Sequence, residues 1–111
     1  MSKKKKKDKI VFISGPITNE PNYKENFKNA KKHLKSLGYK HIINPVKLQS
    51  VLSEKIDYNA FLKIDLAVLA ACDVIYLLNN WERSNGASTE MKFAQDNGLE
   101  ILFEPWKPIE V

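Results

Sequence analysis

The sequence predicts an α/β fold in which a four-stranded parallel sheet is covered by helices on both faces. Short apolar runs rich in β-branched residues alternate along the chain with amphipathic helical patterns, as in successive strand–helix–strand units. The run Val-Ile-Tyr-Leu-Leu at residues 74–78 is apolar at every position, which is typical of a parallel strand buried on both faces. Glycine or proline stands at the end of most of these segments and marks the element boundaries.

Length and composition indicate one domain with a substantial core, because the chain has 111 residues of which 43% are hydrophobic. No apolar run is long enough to span a bilayer, and no apolar signal core follows the basic first residues, so we expect a cytoplasmic protein without membrane contact. Cys72 is the single cysteine. It cannot form an internal disulfide, which agrees with a reducing compartment.

The net charge of +5 comes from one run of lysines. Lys3 to Lys7 supply five of the 18 basic residues, and the 13 that remain balance 13 acidic residues. Residues 1–8 are therefore predicted to be a disordered, solvated tail before a single domain over residues 9–111. Weak, nonspecific contact between Lys3–Lys7 and polyanions is an alternative role for the tail. No basic patch elsewhere in the sequence indicates a dedicated nucleic-acid-binding domain.

The first strand and first helix are predicted from residue 9 onward. Residues 9–14 (Lys-Ile-Val-Phe-Ile-Ser) form an apolar strand that a Gly-Pro pair ends. Asn22 and Glu25 have the spacing of a capping box. An amphipathic pattern with lysines on its outer side follows and stops at Gly38, the expected position of a helix-ending glycine.

The middle of the chain is predicted to contain the second strand and a largely buried helix. Residues 40–44 are β-prone and precede a proline. Residues 46–55 show no clear period and are predicted to be a connection that is partly helical. Residues 57–72 form a broad apolar helix, with Asp57 as its N-terminal cap. Asp65 interrupts the apolar face, and it either performs chemistry or pairs with a nearby backbone group or lysine.

The third strand leads through a polar loop, residues 79–86, into a helix that ends before Gly98, and residues 100–104 form the fourth strand. Glu90 lies early in this helix, at the edge of the stripe that must face the sheet. A carboxylate there is costly unless it is paired or used. The alternative is an exposed glutamate that pairs with a lysine.

Right-handed crossovers favour the sheet order 2-1-3-4, a flavodoxin-like three-layer sandwich. Its switch point falls between the first and third strands. The loop at residues 14–18 and the loop at residues 79–86 then open onto one crevice, and Glu90 faces it. A helix N-terminus beside this crevice suits an anion or a sugar. His33 and His41 lack metal-spaced partners, so no metal site is predicted.

Four motifs in this order resemble the nucleoside 2-deoxyribosyltransferase-like superfamily, and within it a small branch common in phages and bacteria. They are Phe-Ile-Ser-Gly-Pro-Ile at residues 12–17, Asn-Pro at residues 44–45, Asp65 with the following Leu-Ala-Val-Leu, and Trp-Glu-x-Ser-x-Gly-Ala-x-x-Glu at residues 81–90. The similarity covers about residues 10–104.

The resemblance implies base exchange on deoxyribose, or hydrolysis of the N-glycosidic bond of deoxynucleoside monophosphates, without a metal or other cofactor. Glu90 matches the nucleophile that attacks C1′ of the sugar, and Asp65 matches the acid that assists the base. Ser84 and Gly86 match the turn that holds the 5′ end, and Gly15 and Ile17 match the loop over sugar and base. The residues predicted to contact the substrate are Phe12, Ser14, Gly15, Pro16, Ile17, Asn80, Trp81, Ser84 and Gly86.

The resemblance also implies a homodimer or higher homo-oligomer. Trp106 stands in a short tail interrupted by prolines. We expect it to pack against an apolar partner on its own domain or on a neighbouring subunit.

Two positions depart from the superfamily pattern. Phe12 stands where the superfamily has a tyrosine that orients the nucleophile, and Thr18 stands where its monophosphate hydrolases have an arginine that contacts phosphate. Tyr23 and Tyr76 are alternative sources of the missing hydroxyl. These departures leave open a second function, in which the same fold binds or senses a nucleotide derivative without turning it over.

Overall fold

A four-stranded, fully parallel sheet forms the centre of the molecule in a computed structural model that describes residues 4–105. The predicted strand order, 2-1-3-4, is confirmed. The strands are β1 (Ile10–Ser14), β2 (His41–Ile43), β3 (Val74–Leu77) and β4 (Glu100–Phe103), and the helices are α1 (Tyr23–Ser36), α2 (Pro45–Ser50), α3 (Tyr58–Ala70) and α4 (Asn85–Asp96). Two short 3-10 helices span Lys6–Asp8 and Trp81–Arg83.

Two apolar clusters, one on each face of the sheet, form the core. On one face the odd-numbered residues of β1, Val11 and Ile13, pack with Phe27 and Leu34 of α1. On the other face Phe12 packs with residues of α3 and α4. This division follows from strand geometry, in which successive side chains point to opposite faces. The observed layers confirm the predicted three-layer α/β sandwich.

Most of the predicted helix ends are confirmed. Gly38 follows α1 with a φ of +105°, a backbone conformation that favours glycine. The side chain of Asp57 caps α3 by accepting a hydrogen bond of 2.8 Å from the N–H of Ala60. The connection predicted to be partly helical contains α2, which the Asn44 side chain caps by accepting from the N–H of Val46.

The predicted capping box at the start of α1 is wrong. Asn22 is the N-cap residue, but its side chain makes no capping hydrogen bond. Its φ and ψ of −98° and 18° lie outside the extended conformation that a capping side chain needs. The carboxylate of Glu20 instead accepts a hydrogen bond from the N–H of Asn22.

The predicted tail is described only from Lys4 onward. Lys4 Nζ lies 3.0 Å from Asp73 Oδ1, and Lys6 Nζ lies 5.7 Å from the ring centroid of Tyr39. Exposed contacts of this kind contribute little to stability, and the division into a disordered tail and a domain stays a prediction. Lys3 and Trp106 lie outside the described residues. Within residues 4–105 no helix is long and apolar enough to cross a membrane.

Candidate active site

An open cavity of about 1020 Å³ lies at the edge of the sheet where the parallel strands end. The loops that follow β1 and β3 supply two of its walls, with residues 15–20 on one side and residues 83–87 on the other. Side chains of α3 and α4 close its inner end. Ligand sites of open α/β sheets are found at this edge, so the cavity is the candidate site.

Glu90 reaches the inner end of the cavity from the second turn of α4. Its residue surface is only 6% exposed, although it also lines the cavity. The hydroxyl group of Ser14, the last residue of β1, donates a hydrogen bond of 2.6 Å to Glu90 Oε1. Ser14 is fully buried. The position of this carboxyl group is therefore fixed by two elements, the helix α4 that carries it and the central strand β1 that donates to it.

Asp65 approaches Glu90 from α3. It is 6% exposed, it lines the cavity, and its carboxyl group is in hydrogen-bonding contact with that of Glu90. Asp65 Oδ1 is buried and has no hydrogen-bond partner among residues 4–105. A buried polar atom without a partner is costly, so a donor such as protonated Glu90 would stabilise this oxygen.

Burial raises the pKa of both carboxyl groups. The pKa of Glu90 is raised to about 8: burial is the largest cause, the hydrogen bond from Ser14 acts against it, and Asp65 adds to the increase. Burial also raises the pKa of Asp65 to about 6, against the lowering effect of its hydrogen bond with Glu90. Two carboxyl groups in contact titrate as one pair. Near neutral pH the pair therefore holds about one proton, which the two carboxyl groups share.

The N-terminus of α4 forms the opposite wall. The side chain of Ser84 caps this helix by accepting a hydrogen bond of 3.1 Å from the N–H of Ala87. A Cβ atom on Gly86 would lie 2.9 Å from the Tyr58 hydroxyl, so glycine allows that side chain to approach the helix end. Arg83 is the only lysine or arginine that lines the cavity within the described part of the chain.

Most of the sequence-predicted site residues come together around this cavity. Glu90 and Asp65 line it, as do Gly15, Pro16, Ile17, Asn80, Ser84 and Gly86. A Cβ atom on Gly15 would lie 2.7 Å from Leu78 Cβ, so only glycine lets this loop pack against the end of β3. Asn80 has a left-handed φ of +68°, and such backbone strain is common at functional sites.

Three predicted substrate contacts do not line the cavity. Phe12 is fully buried in the apolar cluster beneath α3 and α4, because it lies two residues before the end of β1. Trp81 turns away toward β4, and its ring centroid lies 6.3 Å from that of Phe103. Ser14 lies behind Glu90 and contacts that carboxyl group.

The tyrosines considered as replacements for the missing hydroxyl do not reach Glu90. Tyr76 belongs to the cluster on the α1 face of the sheet, and its hydroxyl is buried without a hydrogen-bond partner among residues 4–105. Tyr23 does not line the cavity. The hydroxyl in contact with Glu90 is that of Ser14, which the sequence analysis assigned to substrate.

Sequence reasoning missed Arg83 and Tyr58, which both line the cavity. Arg83 occupies the unspecified position x of the Trp-Glu-x-Ser motif. Its positive charge beside the predicted crevice was the signal that could have identified it as a site residue. Tyr58 directly follows the Asp57 cap, where nothing distinguishes it from an ordinary first helical residue. Within residues 4–105 no group of three or more His, Cys, Asp or Glu side chains is arranged to hold a metal ion.

Comparison with solved structures shows the fold of a nucleoside deoxyribosyltransferase. The chain is similar to the 2-deoxyribosyltransferase from the psychrotolerant bacterium Bacillus psychrosaccharolyticus, with a TM-score of 0.66 and 19% sequence identity over 84% of this chain and 69% of that chain. Residues 9–103 match the family described as Domain of unknown function (DUF4406), and the chain belongs to that family. No curated protein matches the chain at a significant level.

Proposed function

We propose that this protein breaks the N-glycosidic bond of a (deoxy)nucleoside or nucleotide, by hydrolysis or by base exchange, with Glu90 as the nucleophile. The observation that carries the proposal is the buried pair of carboxyl groups, Glu90 and Asp65, at the inner end of a large cavity. A volume of about 1020 Å³ is ample for a nucleotide. The shared fold with a 2-deoxyribosyltransferase supports the same class of reaction.

The reaction proceeds in two steps. The ionised carboxylate of Glu90 attacks C1′ of the sugar, the C1′–N bond breaks, and its electron pair leaves with the base, which takes a proton from Asp65. The resulting glycosyl ester is opened at C1′ by water or by a second base, whose proton returns to Asp65 as Glu90 leaves. These two steps follow the double-displacement mechanism of retaining glycosidases, which also use two carboxyl groups.

The two carboxyl groups meet one electrostatic requirement of this chemistry. One of them must be ionised and the other protonated at the same pH, which requires environments that separate their titrations. The pKa values of about 6 and about 8 leave one proton on the pair across the neutral range. The proton must lie on Asp65 for the reaction to start.

The wall formed by the α4 N-terminus supports an anionic group at the 5′ end of the substrate. Arg83 carries the only positive side chain on the cavity wall within residues 4–105. It lies two residues before the first helical residues of α4, where unpaired N–H groups and the helix dipole favour negative charge. A guanidinium group binds phosphate in a bidentate manner. We therefore favour a nucleoside 5′-monophosphate over the free nucleoside.

The test is release of the free base. The protein is incubated with each common nucleoside, deoxynucleoside and 5′-monophosphate, with and without a second base, and the products are separated by chromatography. We expect release that disappears in Glu90→Ala and persists in Asp96→Asn, a change of an exposed carboxyl on the same helix. Dependence on the added base distinguishes transfer from hydrolysis. No release from any substrate at high protein concentration would contradict the proposal.

The second candidate is a module that binds a nucleotide derivative without turnover. The raised pKa of Glu90 favours it, because a carboxyl group that is mainly protonated at neutral pH is a hydrogen-bond donor rather than a nucleophile. A ligand that binds only the native state stabilises it by RT ln(1 + [L]/Kd). A nucleotide that raises the melting temperature and is recovered intact would support this candidate, and no shift with any nucleotide would count against it.

A further inference from the structure

Apart from the carboxyl group of Asp65, the Ser14 hydroxyl is the only side-chain hydrogen-bond donor that reaches Glu90 within the described residues. It donates to Oε1 over 2.6 Å. Accepting this hydrogen bond makes Oε1 less basic than Oε2, which favours Oε2 for sharing a proton with Asp65 or attacking the sugar. Ser14 thus distinguishes the two oxygens of the proposed nucleophile.

The location of Ser14 argues against a role in substrate contact. The residue is fully buried and does not line the cavity. The strand does not need the hydroxyl either, because the backbone carbonyl of Ser14 accepts the N–H of Leu78 and the residue pairs with Leu77. The other residues of β1 are all apolar. The hydroxyl has one partner among residues 4–105, and that partner is Glu90.

Few groups face the carboxyl group of Glu90. Ser14 faces it from β1 and Asp65 from α3. Arg83, Glu20 and Glu54 are the other charged residues that line the cavity within residues 4–105, and none of them contributes to the pKa shift of Glu90. The state of the pair thus depends on three side chains and the burial around them.

A pair that holds one proton has two arrangements. The proton lies on Glu90, which then cannot attack, or on Asp65, which then can protonate the leaving base. The Ser14 hydroxyl donates a stronger hydrogen bond to an ionised carboxylate than to a neutral carboxyl group. It therefore stabilises the arrangement in which Glu90 is ionised more than the arrangement in which Glu90 is protonated.

We propose that Ser14 is a positioning residue that holds Oε1 of Glu90 and directs the shared proton onto Asp65, which is the reactive arrangement of the pair. The effect of Ser14 on the reaction rate rests on the proposed function, the cleavage of an N-glycosidic bond. The proton arrangement itself is a property of the free protein and is measurable without substrate. The transfer conserves protons and charge, because the proton that leaves Oε2 of Glu90 is accepted by the carboxylate of Asp65.

Removing the hydroxyl has a specific expected effect on the rate. In Ser14→Ala the hydrogen bond to ionised Glu90 is lost both when Asp65 is protonated and when neither group is. The state with the proton on Glu90 loses only a weaker, neutral hydrogen bond. A hydrogen bond to a charged group is worth about a 10- to 100-fold change in an equilibrium constant. We expect kcat at neutral pH to fall about 10- to 100-fold, with KM nearly unchanged because Ser14 does not touch the substrate.

The pH profile separates this role from a structural one. The rate falls at low pH when both groups are protonated and at high pH when neither is. In Ser14→Ala we expect the limb that follows the ionisation of Glu90 to move up by about one to two pH units. The limb that follows the ionisation of Asp65 moves less, because the Ser14 hydroxyl bonds to Glu90. A purely structural defect would scale the profile without moving either limb.

The experiment combines kinetics with a titration. Base release is measured from pH 5 to pH 10 for the native protein, Ser14→Ala and Ser14→Cys, whose thiol fills the same space but donates weakly. Thr89→Val is the control, because it removes an exposed hydroxyl one residue from Glu90 that bonds only to Asn85. In parallel, the Glu90 carboxyl carbon is titrated by NMR in each protein, with Glu90→Gln identifying its signal.

We expect a raised pKa of Glu90 in Ser14→Ala, a smaller rise in Ser14→Cys and no change in Thr89→Val. If the native protein releases base and Ser14→Ala keeps the native kcat and limbs, the inference is wrong although the proposed function stands. If the native protein releases no base, the proposed function fails, and the titration alone decides on Ser14. An unchanged Glu90 pKa in folded Ser14→Ala overturns the inference in either case.

Discussion

Replacing Glu90 with glutamine is expected to stabilise the protein while it removes the proposed nucleophile. The carboxyl group of Glu90 has a pKa of 4.5 when exposed and about 8 in the fold, where burial is the largest cause. Between these pH values the folded protein binds more protons than the unfolded chain does. The stability tied to this group is therefore fully present below pH 4.5 and is lost as the pH rises through 8.

The expected magnitude follows from the two pKa values. Each pKa unit corresponds to about 1.4 kcal/mol, so the native protein loses about 3 kcal/mol of unfolding free energy between pH 4.5 and pH 7. Above pH 9 the loss approaches 4 to 5 kcal/mol, about its full value. Glutamine keeps the acceptor for Ser14 and carries no charge. Glu90→Gln should therefore match the native protein near pH 4.5 and exceed it by about 3 kcal/mol at pH 7.

The assay is urea unfolding of both proteins at pH 4.5, 7 and 9. For a chain of this size the difference at pH 7 corresponds to about 10 °C in melting temperature. Asp96→Asn is the control, because Asp96 is exposed at the far end of the same helix. Parallel stability curves for Glu90→Gln and the native protein across this pH range would show that burial does not destabilise the ionised carboxylate of Glu90, and would contradict its raised pKa.

Three further changes are expected to have distinct effects. Arg83→Ala should weaken binding of a nucleoside 5′-monophosphate about 10-fold and leave the free nucleoside unaffected, measured as thermal shifts with both ligands; an equal loss for both would contradict a phosphate contact. Gly15→Ala should lower the unfolding free energy by about 1 to 3 kcal/mol, because the new Cβ meets Leu78 at 2.7 Å, and denaturant unfolding that shows no loss would contradict this packing. Deleting Lys3–Lys7 should abolish salt-sensitive retention on heparin without changing ligand binding in the cavity, and retained binding to heparin would refute the tail as a tether.

The sheet order and the two carboxyl groups were predictable from the sequence because both follow from periodic patterns. Alternating strands and helices with right-handed crossovers leave few topologies. A charge inside an apolar helical face, as at Asp65 and Glu90, is costly unless it is paired or used. The structure buries both residues at 6% exposure.

The direction of individual side chains was less predictable. Phe12 and Ser14 lie on the same face of β1. The sequence does not show which residues of this strand the helices cover and which ones face the cavity. Trp81 was assigned to substrate by its place in a motif, yet its ring packs toward Phe103, a contact between segments distant in the sequence. The Ser14–Glu90 bond joins residues 76 positions apart, so only the assembled fold reveals it.

The central claim is that Glu90 forms a covalent ester with the sugar. The most direct measurement is the intact mass of the protein after reaction with a 2′-fluoro-2′-deoxynucleoside or its 5′-monophosphate, since the electron-withdrawing fluorine slows breakdown of the ester. We predict that the mass increases by one sugar or sugar-phosphate group, that peptide mapping assigns the addition to Glu90, and that Glu90→Gln remains unlabelled. Release of base by the native protein, with the added mass on another residue or with an undiminished rate in Glu90→Gln, would contradict the account.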